Sequence, residues 1–140
     1  MLFRSAIIAT GPLTNVAVLA RDRPDLLDRV REVVILAVGA VWDARFELYA
    51  HSALAHQAGL STESITALVN GQLPDDLDAH EKIACRVAQQ LSAGHRIDDE
   101  LYREAQNAFG ATGLFDIAAL IGVYHSVCAI LNLFAVPAPA

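Results

Sequence analysis

The chain has 140 residues, a length typical of one domain, and 54% of them are apolar whereas only 19% are charged. Such a composition provides enough apolar residues for a hydrophobic core and leaves others on the surface. We expect these surface residues to be buried in a subunit interface, which predicts an oligomer. The net charge of −6 argues against a nucleic-acid partner, because a phosphate-binding surface needs clustered Lys and Arg.

The N-terminal third carries mixed signals. A short apolar run over residues 5–10 ends at Gly11-Pro12, and Thr14 is suited to cap a helix over residues 15–20. Residues 25–41 predict a longer helix from their apolar spacing, although residues 33–38 alone also fit a strand.

The rest of the chain predicts helices separated by short loops. Gly39 and Asp43 frame a break, and Asp43 is suited to cap the helix that follows. Asp78 and Glu81 form a capping-box pattern at the start of a later helix. The predicted helices cover residues 44–58, 62–70, 79–92, 97–110 and 112–134.

Residues 114–136 are long and apolar enough to span a bilayer. They include Asp116, His125 and Asn132, which are costly in lipid, so we expect a buried core helix, no membrane partner and a soluble cytoplasmic protein.

The two cysteines, Cys85 and Cys128, lie far apart in apolar helical patterns, which favours buried free thiols over a disulfide. No CxxC pair, zinc-type spacing, Gly-rich phosphate loop or HExxH motif occurs in the chain. We therefore expect neither a metal nor a cofactor.

The strongest candidate for chemistry is Glu47 with His51, four residues apart on one predicted helix face. A carboxylate beside an imidazole orients the ring, raises its pKa and can transfer protons, although the same spacing is also common in structural pairs. Glu32 can join this pair only if the chain reverses between Gly39 and Asp43, because a continuous helix would place it about 18 Å from residue 44.

The segments RVREVVILAV, ARFELYAHSALAHQAGLS, LVNGQLP and GLFDIAALIGVYHSVCAILNLFAVPAPA, in this order and spacing, resemble the carboxymuconolactone decarboxylase / alkylhydroperoxidase D-like family from about residue 29 to 140. Glu32 and His51 match the Glu and His of the family pattern, whereas Ala44 and Glu47 stand where its two cysteines would be. The resemblance implies an all-α bundle of about six helices, assembled as a trimer or hexamer.

The resemblance also implies an activity. One branch of the family decarboxylates a carboxylated muconolactone in aromatic catabolism, and the other is a thiol-dependent peroxidase. Without the redox cysteines, thiol–disulfide exchange has no attacking thiolate, so the expected activity is that of a cofactor-free acid–base lyase or isomerase on a small carboxylated lactone. There are two alternatives. The chain could carry the peroxidase label of its family without the redox thiols, or it could be a helical oligomer without catalytic activity.

In this hypothesis His51 moves the proton, and Glu47 or Glu32 tunes it or acts as the partner base. Arg45 is the nearest candidate to hold a substrate carboxylate, although an exposed arginine paired with Asp43 or Glu47 is an equally reasonable interpretation. Three aromatic side chains could line a substrate pocket, although their helical spacing is equally typical of residues in a hydrophobic core: Trp42, Phe46 and Tyr49. On the last helix Tyr124 and His125 are placed to face the same cavity, and His125 is interpreted as structural.

Residues 7–36, with the stretch GPLTN, resemble instead a segment of the inosine-uridine nucleoside hydrolases, without that family's aspartate-rich calcium-binding start. We therefore divide the chain into an atypical N-terminal segment, residues 1–28, and a decarboxylase-like domain, residues 29–140. A nucleoside hydrolase remnant is the minor alternative, and it requires a parallel sheet formed by residues 7–10 and 33–38.

Overall fold

The computed structural model describes residues 24–140, and it describes their side chains from Leu27 onward. This part of the chain is all helical, as the sequence predicts, and contains no strand. Its five helices are α1 (Pro24–Trp42), α2 (Arg45–Gln57), α3 (Thr62–Val69), α4 (Ala79–Gly94) and α5 (Asp99–Leu133). The helix predicted for residues 15–20 lies outside the described residues.

The helix α1 is the centre of the bundle and contacts each of the other four helices. Its middle turns are apolar on every side, and residues 33–38 are at most 1% exposed. A helix that is apolar all round is stable only when neighbours cover all of its faces, which is the arrangement found here. Residues 33–38 are thus helical, and the prediction that they form a strand is wrong. The nucleoside hydrolase alternative required these residues to pair in a sheet with residues 7–10. The first of its two strands lies outside the described residues, and the second is absent.

The chain reverses at Asp43–Ala44, later than Gly39. Asp43 adopts a left-handed conformation (φ 48°), its N–H donates to Ala40 O at 3.2 Å, and the Ala44 N–H donates to Gly39 O at 3.0 Å. These two hydrogen bonds form a Schellman motif that ends α1. The prediction that Asp43 caps α2 is therefore wrong: Ala44 is the N-cap and offers no side-chain hydrogen bond.

Gly39 remains inside α1 and allows α2 to pack closely against it. A Cβ atom at Gly39 would lie 3.1 Å from Leu48 Cδ2, closer than ordinary van der Waals contact. The absence of a side chain at this position thus brings α2 near α1, and Glu47 is the neighbour of Leu48 on that helix.

Other helix starts follow their sequence signals. The Ser61 side chain accepts a hydrogen bond from the Ser64 N–H, and Asp78 and Glu81 complete the predicted capping box. Arg29 Nε donates a hydrogen bond to Glu81 Oε1 at 2.6 Å, and Arg29 Nη1 donates one to Gly59 O at 2.9 Å. One arginine therefore ties α1 to the start of α4 and to the end of α2.

The last two predicted helices form one element, α5, with an interruption at Gly110 (φ 68°, ψ 174°). Only 22% of the most apolar 18-residue window of α5 is buried, so the expectation of a buried core helix is wrong for most of this segment. By length and composition α5 meets the criterion for crossing a membrane, a criterion that core helices of soluble proteins also meet.

Candidate active site

The reversal at Asp43–Ala44 brings the three predicted catalytic residues together. His51 Nδ1 lies 2.6 Å from Glu32 Oε2, and His51 Nε2 lies 2.8 Å from Glu47 Oε1. The side chains of Glu32 and Glu47 are 1% and 6% exposed, whereas that of His51 is 13% exposed. The imidazole thus lies between two buried carboxylates and keeps part of its ring accessible.

The two contacts of the ring differ in quality. The contact with Glu32 is a hydrogen bond between residues on different helices, and it fixes the orientation of the imidazole. The contact with Glu47 has ion-pair distance, but Glu47 Oε1 makes no well-aligned hydrogen bond. Because a buried oxygen without such a bond loses part of its stabilisation, Glu47 is held less firmly by His51 than Glu32 is.

The electrostatics follow from this geometry. Burial alone lowers the pKa of His51, but the contacts and charges of Glu32 and Glu47 outweigh burial and raise this pKa to about 9. At neutral pH the imidazole therefore carries both protons and donates Nδ1–H to Glu32. A charged imidazolium in a partly buried position is suited to donate a proton or to stabilise a developing oxyanion.

Tyr124 and Cys128 on α5 lie close to the cluster. The ring of Tyr124 meets His51 edge to face, with ring centroids 5.3 Å apart, which supports its prediction as a wall of the site. Burial, followed by the charges of Glu47 and Glu32, raises the pKa of Tyr124. Burial and then the charge of Glu47 raise the pKa of Cys128 to about 12, so this thiol stays protonated at neutral pH.

Both cysteines are buried free thiols, as predicted. Burial also raises the pKa of Cys85 to about 12. Both thiols therefore stay protonated at neutral pH, whereas the thiolate is the reactive species in disulfide exchange.

The remaining two predicted binding residues lie elsewhere. Arg45 is exposed and, with Trp42 and Asn132, lines a separate shallow pocket of about 330 Å³ near the end of α5. Arg45 and His51 are six positions apart in α2, which turns their side chains to different sides of the helix. Trp42 packs edge to face against His125, whose Nε2 lies 2.9 Å from Ser92 Oγ, so His125 has the structural contacts expected of it.

Two neighbours of the cluster were missed from the sequence, namely Arg31 and Cys128. Arg31 Nε lies 3.3 Å from Glu32 Oε1, so this arginine, not Arg45, reaches the cluster. Its position beside Glu32 in the chain was a signal, but adjacent residues on a helix usually point to different sides. Nothing in the sequence placed Cys128 near Glu47, because the contact depends on how α5 packs against the other helices.

Within residues 24–140 no group of three or more His, Cys, Asp or Glu side chains is placed to hold a metal ion. Comparison of the chain with protein-family models, with curated proteins and with solved structures found no match.

Proposed function

We propose that the protein is a cofactor-free acid–base lyase or isomerase that acts on a small carboxylated substrate, such as a lactone acid of aromatic catabolism. The observation that carries the proposal is the imidazole ring of His51 between the buried carboxyl groups of Glu32 and Glu47, at 2.6 and 2.8 Å. The resemblance to the carboxymuconolactone decarboxylase-like family supports the substrate class.

His51 supplies the positive charge in this proposal. In a decarboxylation, the bond to the departing carboxylate breaks, CO₂ leaves, and the electron pair moves into the conjugated carbonyl to form an enolate. His51 Nε2–H turns from Glu47 to the enolate oxygen, stabilises its charge and then delivers the proton to carbon. The imidazole regains its proton from water.

Glu47 is the partner base when the reaction is an isomerisation. Its carboxylate takes the proton from the α-carbon of a β,γ-unsaturated carbonyl compound while His51 stabilises the dienolate, and the same proton returns to the γ-carbon as the double bond moves into conjugation with the carbonyl. Glu32 does not touch the substrate in this scheme; it is a positioning residue that holds the ring and keeps its pKa high.

The test is turnover of lactone acids by His51→Gln and Glu47→Gln, each compared with a matched surface variant. We expect both variants to lose at least about a hundredfold in kcat, the low end of what a positioned acid or base contributes. His56→Gln on the exposed side of α2 and Glu104→Gln, which removes only a surface pair with Arg86, should keep full turnover. Unchanged turnover in both site variants would exclude the proposal.

A second candidate function, assembly as a helical oligomer, is favoured by a specific observation. The exposed side of α5 carries large apolar side chains, with Val123 49%, Ile130 56% and Leu133 77% exposed, and Phe134 follows at 73%. A contiguous apolar face of this kind marks an interaction surface. It is compatible with catalysis, so the two proposals do not exclude each other.

The occupant that we propose for this face is a second copy of the chain. No Asp, Glu, Lys or Arg occurs in residues 117–140, so two copies of this acidic protein can meet there without charge repulsion. The same residues offer no basic group, which disfavours electrostatic attachment to the surface of an anionic membrane. Gly122 and Ser126, both exposed, allow two helices to approach closely, and the family resemblance suggests a trimer or hexamer.

A further inference from the structure

A cavity of about 170 Å³ lies between α1, α5 and the start of α4, and neither proposal above uses it. Its wall is largely apolar and is formed by Leu27, Val30, Phe109, Ile117 and Leu120. A dry apolar cavity of about 150 Å³ is sufficient to hold a benzene ring, so this one accepts a single six-membered ring.

The polar groups at the cavity are few. Arg31 lines it with a side chain that is 45% exposed, which places the guanidinium at the mouth. Arg31 Nη2 lies 3.6 Å from Asp28 Oδ1 and its Nε 3.3 Å from Glu32 Oε1, and a guanidinium with five N–H donors keeps further donors for a ligand. His80, at the start of α4, meets the ring of Phe109 edge to face.

The arrangement of the cavity wall sets the orientation of an acidic ligand. The interior is formed by apolar side chains of α1 and α5, whereas the guanidinium of Arg31 lies at the mouth. A ligand carboxylate is therefore stabilised at Arg31, where it accepts charge-assisted hydrogen bonds, and the apolar ring occupies the interior.

The cavity is connected to the candidate active site by two routes. Glu32 contacts Arg31 through Oε1 and His51 through Oε2, so a single carboxylate joins the mouth of the cavity to the imidazole. On α5, Leu120 lines the cavity and Tyr124, one helical turn further, contacts His51. A molecule seated at Arg31 therefore lies beside Glu32, the residue that holds the imidazole of His51.

We infer that this cavity is the substrate-binding site and that it takes a monocyclic carboxylic acid, with the ring in the apolar interior and the carboxylate on Arg31. The inference rests on the proposed function for its link to catalysis, but the binding itself does not depend on turnover. It assigns to Arg31 the role of carboxylate anchor that the sequence suggested for Arg45.

The test is calorimetric titration with three probes: benzoate, benzamide as a ring without the charge, and acetate as a carboxylate without the ring. The wild-type protein should bind benzoate at least about tenfold more tightly than either other probe, since only benzoate uses both parts of the site. No detectable binding of benzoate, or equal binding of all three, would overturn the inference.

Variants locate the binding. Arg31→Gln should weaken benzoate about tenfold and leave benzamide unchanged, whereas Arg45→Gln, the matched arginine at the other pocket, should leave both unchanged. Ala108→Leu, which adds bulk at the cavity wall, should weaken benzoate and benzamide alike. Circular dichroism and the melting temperature establish that each variant is folded. An effect of Arg45→Gln in place of Arg31→Gln would contradict the assignment.

His51→Gln separates this inference from the proposed function. The variant should still bind benzoate with wild-type affinity although it loses turnover. If benzoate binds as described but His51→Gln keeps full turnover, the proposed function fails and the binding site stands. If His51→Gln abolishes turnover but Arg31→Gln and Ala108→Leu leave benzoate affinity intact, the binding site is excluded and the function stands.

Discussion

At the scale of the residue, the behaviour of His51 depends on two carboxylates that oppose the effect of burial. Removing an imidazolium from water is unfavourable, and burial alone would leave this ring neutral at pH 7. The contacts at 2.6 and 2.8 Å reverse that balance and raise the pKa to about 9. The site therefore holds a positive charge under conditions in which most histidines are largely neutral.

This raised pKa predicts how stability depends on pH. The unfolded pKa is about 6.5 and the folded one about 9, so the contribution of His51 is complete below about pH 6.5 and is lost as pH rises through about 9. Solvent at the accessible part of the ring screens the pair, and we expect a loss of about 1–2 kcal/mol. The measurement is the unfolding free energy in urea from pH 6 to 10, for wild type and His51→Gln.

The variant provides the control for other groups that titrate in the same range. The difference between wild-type and His51→Gln unfolding free energies should shrink as pH rises from 6.5 to 9. A difference that is constant over this range would show that the folded and unfolded pKa values of His51 are equal.

At the scale of the element, the turn between α1 and α2 creates the site. Asp43 occupies the left-handed position of the Schellman motif, which an L-residue other than glycine occupies at an energetic cost. Asp43→Gly should therefore stabilise the protein by about 0.5–1 kcal/mol and leave turnover unchanged, because the backbone path to His51 is retained. Urea denaturation measures the gain; a loss of stability would show that the Asp43 side chain stabilises the turn.

The helices could be predicted because their signals are local. Asp78 and Glu81 mark a helix start that depends only on neighbours in the chain, and they form the predicted capping box. The reversal was predicted too, but it was placed too early, because Gly39 was taken as a break when it serves helix packing. A local sequence pattern does not show whether a glycine ends a helix or allows a second helix to pack closely against it.

The site was predicted in part for the same reason. Glu47 and His51 follow from helical spacing, and Glu32 follows once a reversal is assumed. Arg31 and the cavity depend on how α5 crosses α1, which spacing along one helix does not determine. Arg45 was chosen because it is near in sequence, and its side chain lies at another pocket.

At the scale of the whole molecule, the low share of charged residues is reflected in the apolar side chains that α5 exposes. A chain of 15.0 kDa that leaves Ile130, Leu133 and Phe134 more than half exposed has apolar surface that a second copy would cover. Light scattering after size-exclusion chromatography should give a mass at least twice that of one chain.

Ile130→Lys should shift this mass towards 15.0 kDa, because a lysine at an apolar contact leaves a buried unpaired charge. Leu73→Lys is the matched control, since Leu73 is 40% exposed in the loop before α4 and away from α5. A wild-type protein that is already monomeric, or equal effects of the two substitutions, would contradict self-association through α5.

The most direct test of the site is the titration of His51 itself. In ¹⁵N-labelled protein, the ring nitrogens of His51, assigned by their loss in His51→Gln, should titrate with a midpoint of about 9. The midpoint should fall in Glu32→Gln, which removes the charge at 2.6 Å and keeps the size of the side chain. A midpoint near 6.5 that Glu32→Gln does not move would contradict the account, because the imidazole would then have no carboxylate partner in solution.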